Sequence, residues 1–187
     1  MHFGHVLERD PSLRQIEVCI GDSLVRRSPA EAWRIEEDFE ARTRRHIAQF
    51  GWSVVHIAAE VSSPAFAYTL GLWETLAHPE LIVIGFRRDT AHTVLNDCGG
   101  RIRQGEKLRA GMVDQEVLRG YPVVYVDMRP EHAPTWTGAA LRHYRAKGIP
   151  HFLQIVWPDR DGRFPWDRGA PEDFRKAQPV LGTPPNQ

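Results

Sequence analysis

Cysteine is scarce in this sequence: Cys19 and Cys98 are the two thiols among 187 residues. Two cysteines this far apart make neither a disulfide-rich scaffold nor a zinc ribbon, which excludes the small crosslinked domains of secreted proteins. A chain of this length buries enough apolar surface to fold without a crosslink. We therefore expect one reduced, cytoplasmic, globular domain.

Long apolar runs are missing as well. The longest, residues 65–72 and 81–86, fall far short of the ~20 apolar residues that span a bilayer as a helix. The segment Met1–Asp10 has no apolar signal core. We therefore expect neither a membrane-spanning protein nor a membrane partner.

The sequence also has no excess of one charge sign. Its 24 lysines and arginines balance its 24 aspartates and glutamates, so the formal net charge is zero. Duplex DNA and anionic membranes are bound mainly through an excess of positive charge. We therefore expect no nucleic-acid partner.

Two common motifs are present only in part. Residues 100–105 have the glycine spacing of a phosphate-binding loop, but Glu106 stands where that loop needs lysine. Residues 159–162 begin like a calcium-binding loop, but the glycine comes too early, so a turn is the better interpretation. The sequence identifies no cofactor.

What the sequence does contain is a series of strand and helix patterns. Ser28 and Pro29 predict the start of a helix that runs to Phe50 and ends at Gly51. A second predicted helix covers residues 89–104. The other predicted elements are strands at 16–20, 52–59, 66–72, 81–86, 121–128 and 152–157, a short strand within 106–120, and helices at 135–147 and after residue 170.

These elements predict the fold class. Strands follow one another directly as well as across helices, which disfavours a doubly wound parallel sheet. We expect a single α+β domain with a mostly antiparallel sheet, with a barrel-like sheet as a variant, packed with two or three helices. The apolar strand at 81–86 should lie in the middle of the sheet. The pair Gly99-Gly100 should end or kink its helix.

The first candidate site surrounds His78. Pro79 marks the mouth of a strand, because proline cannot donate to a sheet ladder, and in an extended chain His78 and Glu80 point to the same side. We predict His78 as a general acid–base that is oriented by Glu80. Tyr68 is the third predicted catalytic residue, and Thr69 is a predicted ligand-binding donor. There are two alternatives: His78 and Glu80 are a pair of metal ligands, or they belong to a turn in which Glu80 accepts backbone N–H bonds. We assign no metal.

The second candidate site follows the last predicted strand. Gln154 stands among apolar residues, where an unpaired buried amide costs ~1–3 kcal/mol and therefore needs partners. We predict that Gln154 and Asp159 position a substrate, and that Trp157 and Trp166 form an apolar wall. A rigid corner that covers the end of the sheet is the alternative.

Six short motifs resemble DUF4262, a family of uncharacterised bacterial proteins. They are GW-x-V at 51–54, FAYTLGL at 66–72, HPE at 78–80, LIVIGF at 81–86, LQIVWPD at 153–159 and GRFPWD at 162–167. The resemblance covers residues 44–169, which leaves 1–43 as an N-terminal extension and 170–187 as a partly mobile, proline-containing tail. It implies a set of candidate residues and no mechanism.

We expect the two sites to form one pocket in a small-molecule-binding domain, an enzyme that uses metal-independent acid–base chemistry. His78, Tyr68 and Gln154 should then converge on one cavity. One alternative is a non-catalytic protein-binding chain, such as an immunity or regulatory protein, with a large apolar patch or a homodimer face. Another is a flavin-binding split-barrel reductase, in which Tyr68 and Thr69 would lie near the flavin.

Overall fold

The computed structural model describes residues 16–20, 23–27 and 29–185 of the chain. The predicted helix cap at Ser28 lies outside these ranges. The strands are β1 (Ile16–Ile20), β2 (Ser23–Arg27), β3 (Ser53–Ile57), β4 (Phe66–Leu70), β5 (Glu80–Ile84), β6 (Val113–Leu118), β7 (Tyr121–Asp127) and β8 (Phe152–Val156). The helices are α1 (Pro29–Phe50), α2 (Leu72–Leu76), α3 (Arg88–Arg103), α4 (Ala133–Trp136), α5 (Gly138–His143) and α6 (Glu172–Ala177).

Six of the strands form one open sheet in the order β3-β4-β5-β8-β7-β6. Neighbouring strands are antiparallel except β5 and β8, which run parallel with Glu80 opposite Phe152. β3 and β6 are the two edges, so the sheet does not close. The prediction of an α+β domain with a mostly antiparallel sheet is confirmed, and its barrel-like variant is not adopted.

β5 lies inside the sheet and is buried on both faces, as its apolar run predicts. Leu81 and Val83 pack under Leu95 of α3; we call this side of the sheet the α3 face. Ile82 and Ile84 point the other way, into a second layer that includes the end of α1, α5 and the segment after α6; we call this side the α1 face. The alternation of side chains along a strand produces the two cores.

α3 runs through Gly99 and Gly100 without a break, which corrects the prediction of an end or kink. A Cβ atom on Gly99 would lie 2.6 Å from the ring of Trp52, so the absent side chain lets α3 approach the indole closely. At Gly100 a Cβ atom would meet nothing within 4 Å. The packing of α3 against Trp52 therefore outweighs the low helix propensity of glycine.

α1 has the predicted bounds and the predicted end. Gly51 follows it with φ +83°, and its N–H donates to the Ile47 carbonyl at 2.7 Å, which is a left-handed C-cap. Ile47 is buried in the core of the α1 face. Nearer the start of the helix, Glu36 forms an ion pair with Arg142 at 2.8 Å. Ile47 therefore packs the end of α1 against the sheet, and the ion pair joins the helix to α5.

Other local predictions need correction. The helix predicted over 135–147 is two short helices, α4 and α5, that meet at Thr137. Thr137 interrupts the helix because its backbone is not helical (φ −134°, ψ 38°), and its hydroxyl donates to the Ala133 carbonyl at 3.0 Å. β2 and α2 were not predicted from the sequence.

The segment after α6 lies on the α1 face of the sheet. The Gln154 side chain accepts the Leu181 N–H at 2.7 Å and donates to the Pro179 carbonyl at 2.8 Å. Gly182 then forms a β-bridge with Met128. The proline content predicts a partly mobile tail, whereas these hydrogen bonds attach residues 179–182 to the sheet.

Candidate functional site

Glu80 is fully buried at the start of β5. Its carboxylate accepts hydrogen bonds from the hydroxyl of Thr69 at 2.6 Å, the N–H groups of Gly71 at 2.8 Å and Trp73 at 3.1 Å, and the hydroxyl of Tyr144 at 2.5 Å. The Tyr144 hydroxyl also accepts the Gly71 N–H at 2.8 Å. One carboxylate thus ties β4, α2 and the end of α5 to β5.

The electrostatics of this cluster follow from its burial. Burial raises the pKa of the Glu80 carboxyl, and the hydrogen bonds from Thr69 and Tyr144 oppose that rise. Burial and the neighbouring Glu80 charge raise the pKa of Tyr144, which therefore stays a hydroxyl donor. Thr69, Glu80 and Tyr144 are all fully buried, so the cluster acts as a clamp inside the fold.

His78 is buried in a different place. The Leu108 N–H donates to Nε2 of the ring at 3.1 Å, so Nε2 carries no proton. The neutral ring then carries its proton on Nδ1, which donates to the Pro79 carbonyl at 2.8 Å. Both ring nitrogens are engaged, and the imidazole anchors the 104–112 segment that joins α3 to β6.

The structure does not bring His78 and Glu80 together as predicted. β5 begins at Glu80, so His78 and Pro79 lie before the strand, and the alternation of side chains along a strand does not extend to His78. The His78 ring turns to Leu108, which packs on the α3 face, whereas Glu80 bonds to Tyr144 on the α1 face. The alternative in which Glu80 accepts backbone N–H bonds agrees with these contacts.

Tyr68 and Gln154 lie on the α1 face, with Ile82 between them in the register of β4, β5 and β8. The Tyr68 hydroxyl accepts the Ala139 N–H at 3.3 Å, and burial raises its pKa to about 12. Gln154 is fully buried and bonded to the segment after α6. The predicted convergence of Tyr68, Gln154 and His78 on one cavity is not found.

The two predicted tryptophans follow β8 but do not form one apolar wall, because Trp157 packs with the core of the α3 face and Trp166 packs in a separate cluster with three valines of β7 and β8. Trp157 stacks on Phe86 with 4.8 Å between ring centroids, and its Nε1 donates to the Ile84 carbonyl at 3.0 Å. Trp166 stacks on Phe164 at 4.9 Å. Each indole stacks on a phenylalanine of its own cluster, which agrees with the rigid corner that was the alternative interpretation.

Asp159 organises the turn that follows this corner. Its carboxylate accepts the N–H groups of Asp161 and Arg163, each at 2.9 Å, and the Arg163 guanidinium at 2.8 Å. Burial acts to raise the pKa of Asp159, but the hydrogen bonds from Arg163 outweigh it and hold that pKa below its usual range. The turn interpretation of residues 159–162 agrees with these bonds.

Two adjoining clefts open where β5 and β8 begin and β7 ends. The first, which we call the His78 cleft, has a volume of about 440 Å³ and is lined in part by His78, Lys107 and Arg109. The second, the Ile149 cleft, has a volume of about 520 Å³. Three residues line both clefts and form what we call the shared rim: Ala110, Asp127 and His151.

The shared rim brings an imidazole and a carboxylate together. Nδ1 of His151 lies 3.4 Å from Oδ1 of Asp127, and the side chains are 72% and 52% exposed. Asp127 pairs with Leu153, two residues after His151, so both side chains project from the α3 face. An accessible imidazole beside a carboxylate can exchange protons with a bound molecule.

Comparison with known families now adds an identification. Residues 46–171 match the family DUF4262, a domain of unknown function. The chain belongs to DUF4262. The match covers most of the chain and confirms the resemblance drawn from the six motifs. Searches of curated proteins and of solved structures each gave no significant match.

In this DUF4262 chain, sequence reasoning missed His151 and Asp127, although one signal was present. Pro150 precedes His151 and marks the mouth of β8 in the same way that Pro79 marks the mouth of β5. The position of Asp127 depends on the antiparallel pairing of β7 with β8, which the sequence does not display.

Two further findings concern the described ranges of the DUF4262 chain. Within them, no three side chains of histidine, cysteine, aspartate or glutamate are grouped so as to hold a metal ion. No helix in those ranges combines the length and the apolar character needed to cross a bilayer.

Proposed function

We propose that this DUF4262 chain binds a small molecule in the two adjoining clefts, where His151 and Asp127 perform metal-independent acid–base chemistry. The observation that carries the proposal is the exposed His151–Asp127 pair, 3.4 Å apart, on the rim shared by both clefts. A molecule that extends from one cleft into the other passes this rim and comes within reach of the imidazole.

The residues around the rim divide the work. His151 accepts a proton from the bound molecule or returns one, and Asp127 orients the ring and stabilises its charged form. His78 has no free nitrogen for proton transfer. It is a positioning residue, because its bond to the Leu108 N–H fixes the segment that forms one wall of the His78 cleft.

The proposed site lies at the shared rim and not at the residues predicted from the sequence, although the expected function is the same. Of the predicted site residues, His78 lines a cleft. Glu80, Thr69 and Gln154 are fully buried and bonded inside the fold. Their contacts support a structural role, in which these side chains fix the strands next to the rim.

Binding can be tested with three probes of similar size: benzamide, benzoate and phenyl phosphate. Saturation-transfer NMR would be recorded with the wild-type chain, with His151→Trp, which fills the rim, and with His46→Trp, a change at an exposed position on α1. We expect at least one probe to receive saturation from the wild type and from His46→Trp but not from His151→Trp. Transfer to none of the probes, or equal transfer from all three proteins, would contradict the binding site.

The chemistry needs a separate test. The wild type, His151→Gln and His46→Gln would be incubated with the p-nitrophenyl esters of acetic, butyric and phosphoric acid in the presence of EDTA. Because a positioned acid–base group contributes at least ~100-fold to a rate, turnover should fall by that factor in His151→Gln only. Equal turnover by His151→Gln and His46→Gln would remove the acid–base role and leave the binding proposal standing.

The alternatives have less support. A protein-binding chain needs a large apolar patch, whereas the large apolar side chains that are exposed in the described ranges are distributed over separate elements. They are Phe50, Val61, Val113, Tyr121 and Ile149. A split-barrel reductase rests on a barrel, and the six-stranded sheet of this chain is open.

A further inference from the structure

The charges that line the two clefts are unequally compensated. The Glu106 carboxylate is held by the Arg101 guanidinium through two bonds of 2.7 and 2.6 Å. The Asp127 carboxylate lies beside His151. Each of these acidic residues of the His78 cleft therefore has a basic neighbour.

The cations of the same cleft have no such partner. Lys107 and Arg109 are exposed and line the His78 cleft, and neither forms an ion pair with any residue in the described part of the chain. Their backbone is fixed on both sides, because the Glu106 N–H donates to the Arg101 carbonyl at 3.1 Å and the Leu108 N–H donates to His78. Two cations on a fixed segment form a site for a negatively charged group.

The neighbouring Ile149 cleft has a different character. Much of its lining is apolar, including Ile149, Pro150 and Phe152. Ile149 is 61% exposed there, so apolar surface is available to a ligand. The cation of this cleft, Arg129, donates to the Thr183 hydroxyl at 3.0 Å.

We propose that the ligand of this site is an apolar acid: a carboxylate or phosphate group held by Lys107 and Arg109 in the His78 cleft, with an aromatic or aliphatic body in the Ile149 cleft. This inference rests on the proposed function and adds the substrate class to it. The group that joins acid and body then lies at the shared rim, within reach of His151. Guanidinium binds both oxyanions through paired N–H bonds, so the two sources share one recognition chemistry.

The three probes used above separate these possibilities when their affinities are measured by isothermal titration calorimetry. Benzamide has the body of benzoate without its charge, and phenyl phosphate carries the alternative oxyanion. We expect benzoate or phenyl phosphate to bind the wild type at least ~10-fold more tightly than benzamide, because a charge-assisted hydrogen bond contributes more than a neutral one. The tighter of the two identifies the oxyanion.

The assignment to Arg109 and Lys107 is tested with Arg109→Gln and Lys107→Gln, and Arg119→Gln serves as the matched control on the turn between β6 and β7. The first two variants should each weaken binding of the preferred acid by ~10-fold and leave benzamide unchanged, whereas Arg119→Gln should match the wild type. Melting temperatures of all variants would show that the chain remains folded.

The outcomes distinguish this inference from the proposed function. If benzamide binds as tightly as both acids and His151→Trp abolishes its binding, the small-molecule site stands and the acid preference is overturned. If the acids bind but Arg109→Gln, Lys107→Gln and Arg119→Gln all match the wild type, the assigned cations are wrong. If no probe binds, both the inference and the proposed function fail.

Discussion

Removal of the Glu80 carboxylate should destabilise the fold by an amount that its contacts define. In Glu80→Ala, the hydroxyls of Thr69 and Tyr144 and the N–H of Trp73 lose their common acceptor inside the protein. The Gly71 N–H keeps the Tyr144 oxygen as an acceptor. An unsatisfied buried donor costs ~1–3 kcal/mol, and hydroxyls reorient, so we expect a total loss of about 3–5 kcal/mol.

Glu80→Gln provides the matched comparison. Its amide oxygen can accept from Gly71, Trp73 and Tyr144, and its NH₂ group can donate to Thr69 Oγ1, so we expect a loss of about 1 kcal/mol. Urea unfolding monitored by tryptophan fluorescence gives both values. A loss below about 1 kcal/mol for Glu80→Ala, or equal losses for the two variants, would refute the clamp. If Glu80→Ala does not fold, Tyr144→Phe tests the same bonds with an expected loss of ~1–2 kcal/mol.

The difference in stability between the wild type and Glu80→Gln should depend on pH. Because burial raises the pKa of Glu80, the folded chain retains a proton over a pH range in which the unfolded chain has lost it. The contribution of Glu80 to the wild-type free energy of unfolding is present below the ordinary pKa of a glutamate and is lost as pH rises through the raised value. The side chain of Glu80→Gln does not titrate. The free energy of unfolding of the wild type should therefore exceed that of Glu80→Gln by less as pH rises. A difference in free energy of unfolding that grows with pH would contradict the raised pKa of Glu80.

Two further predictions concern packing. Gly99→Ala should lose ~1–3 kcal/mol of stability because its methyl group overlaps the Trp52 ring. Gly100→Ala should gain ~0.5–1 kcal/mol because open space surrounds the new methyl group. Urea unfolding measures both changes, and equal effects would contradict the packing of α3 against Trp52. Gln154→Leu should lose ~1–3 kcal/mol and expose the C-terminal segment to limited proteolysis, since the Leu181 N–H loses its acceptor. Unchanged cleavage would show that this bond does not hold the segment.

The elements that were predictable are those with strong local signals. Pro29 at the first helical position and Gly51 after the last one predict where the long helix begins and ends, and α1 begins and ends there. The apolar run of β5 required burial on both faces, and the strand lies between β4 and β8. The strands predicted at 52–59 and 66–72 are present as β3 and β4, which pair antiparallel.

The site depended on tertiary facts that the sequence does not display. His78 lies before the first residue of β5, so the alternation of a strand does not place its ring, and the ring bonds to Leu108 while Glu80 bonds to Tyr144. Gln154 needed partners, as predicted, but they are backbone groups of the segment after α6. The rim pair of Asp127 and His151 exists because β7 and β8 are adjacent, although they are separated by two helices in the chain.

Binding of a small molecule at the shared rim of the two clefts underlies both proposals. The most direct measurement is a ¹⁵N-resolved NMR titration of the wild-type chain with phenyl phosphate and with benzamide. We expect the largest shifts on the amides of Leu108, Ala110 and His151, which border the clefts. Shifts that cluster on another surface, or no shifts with either probe, would contradict binding at the shared rim.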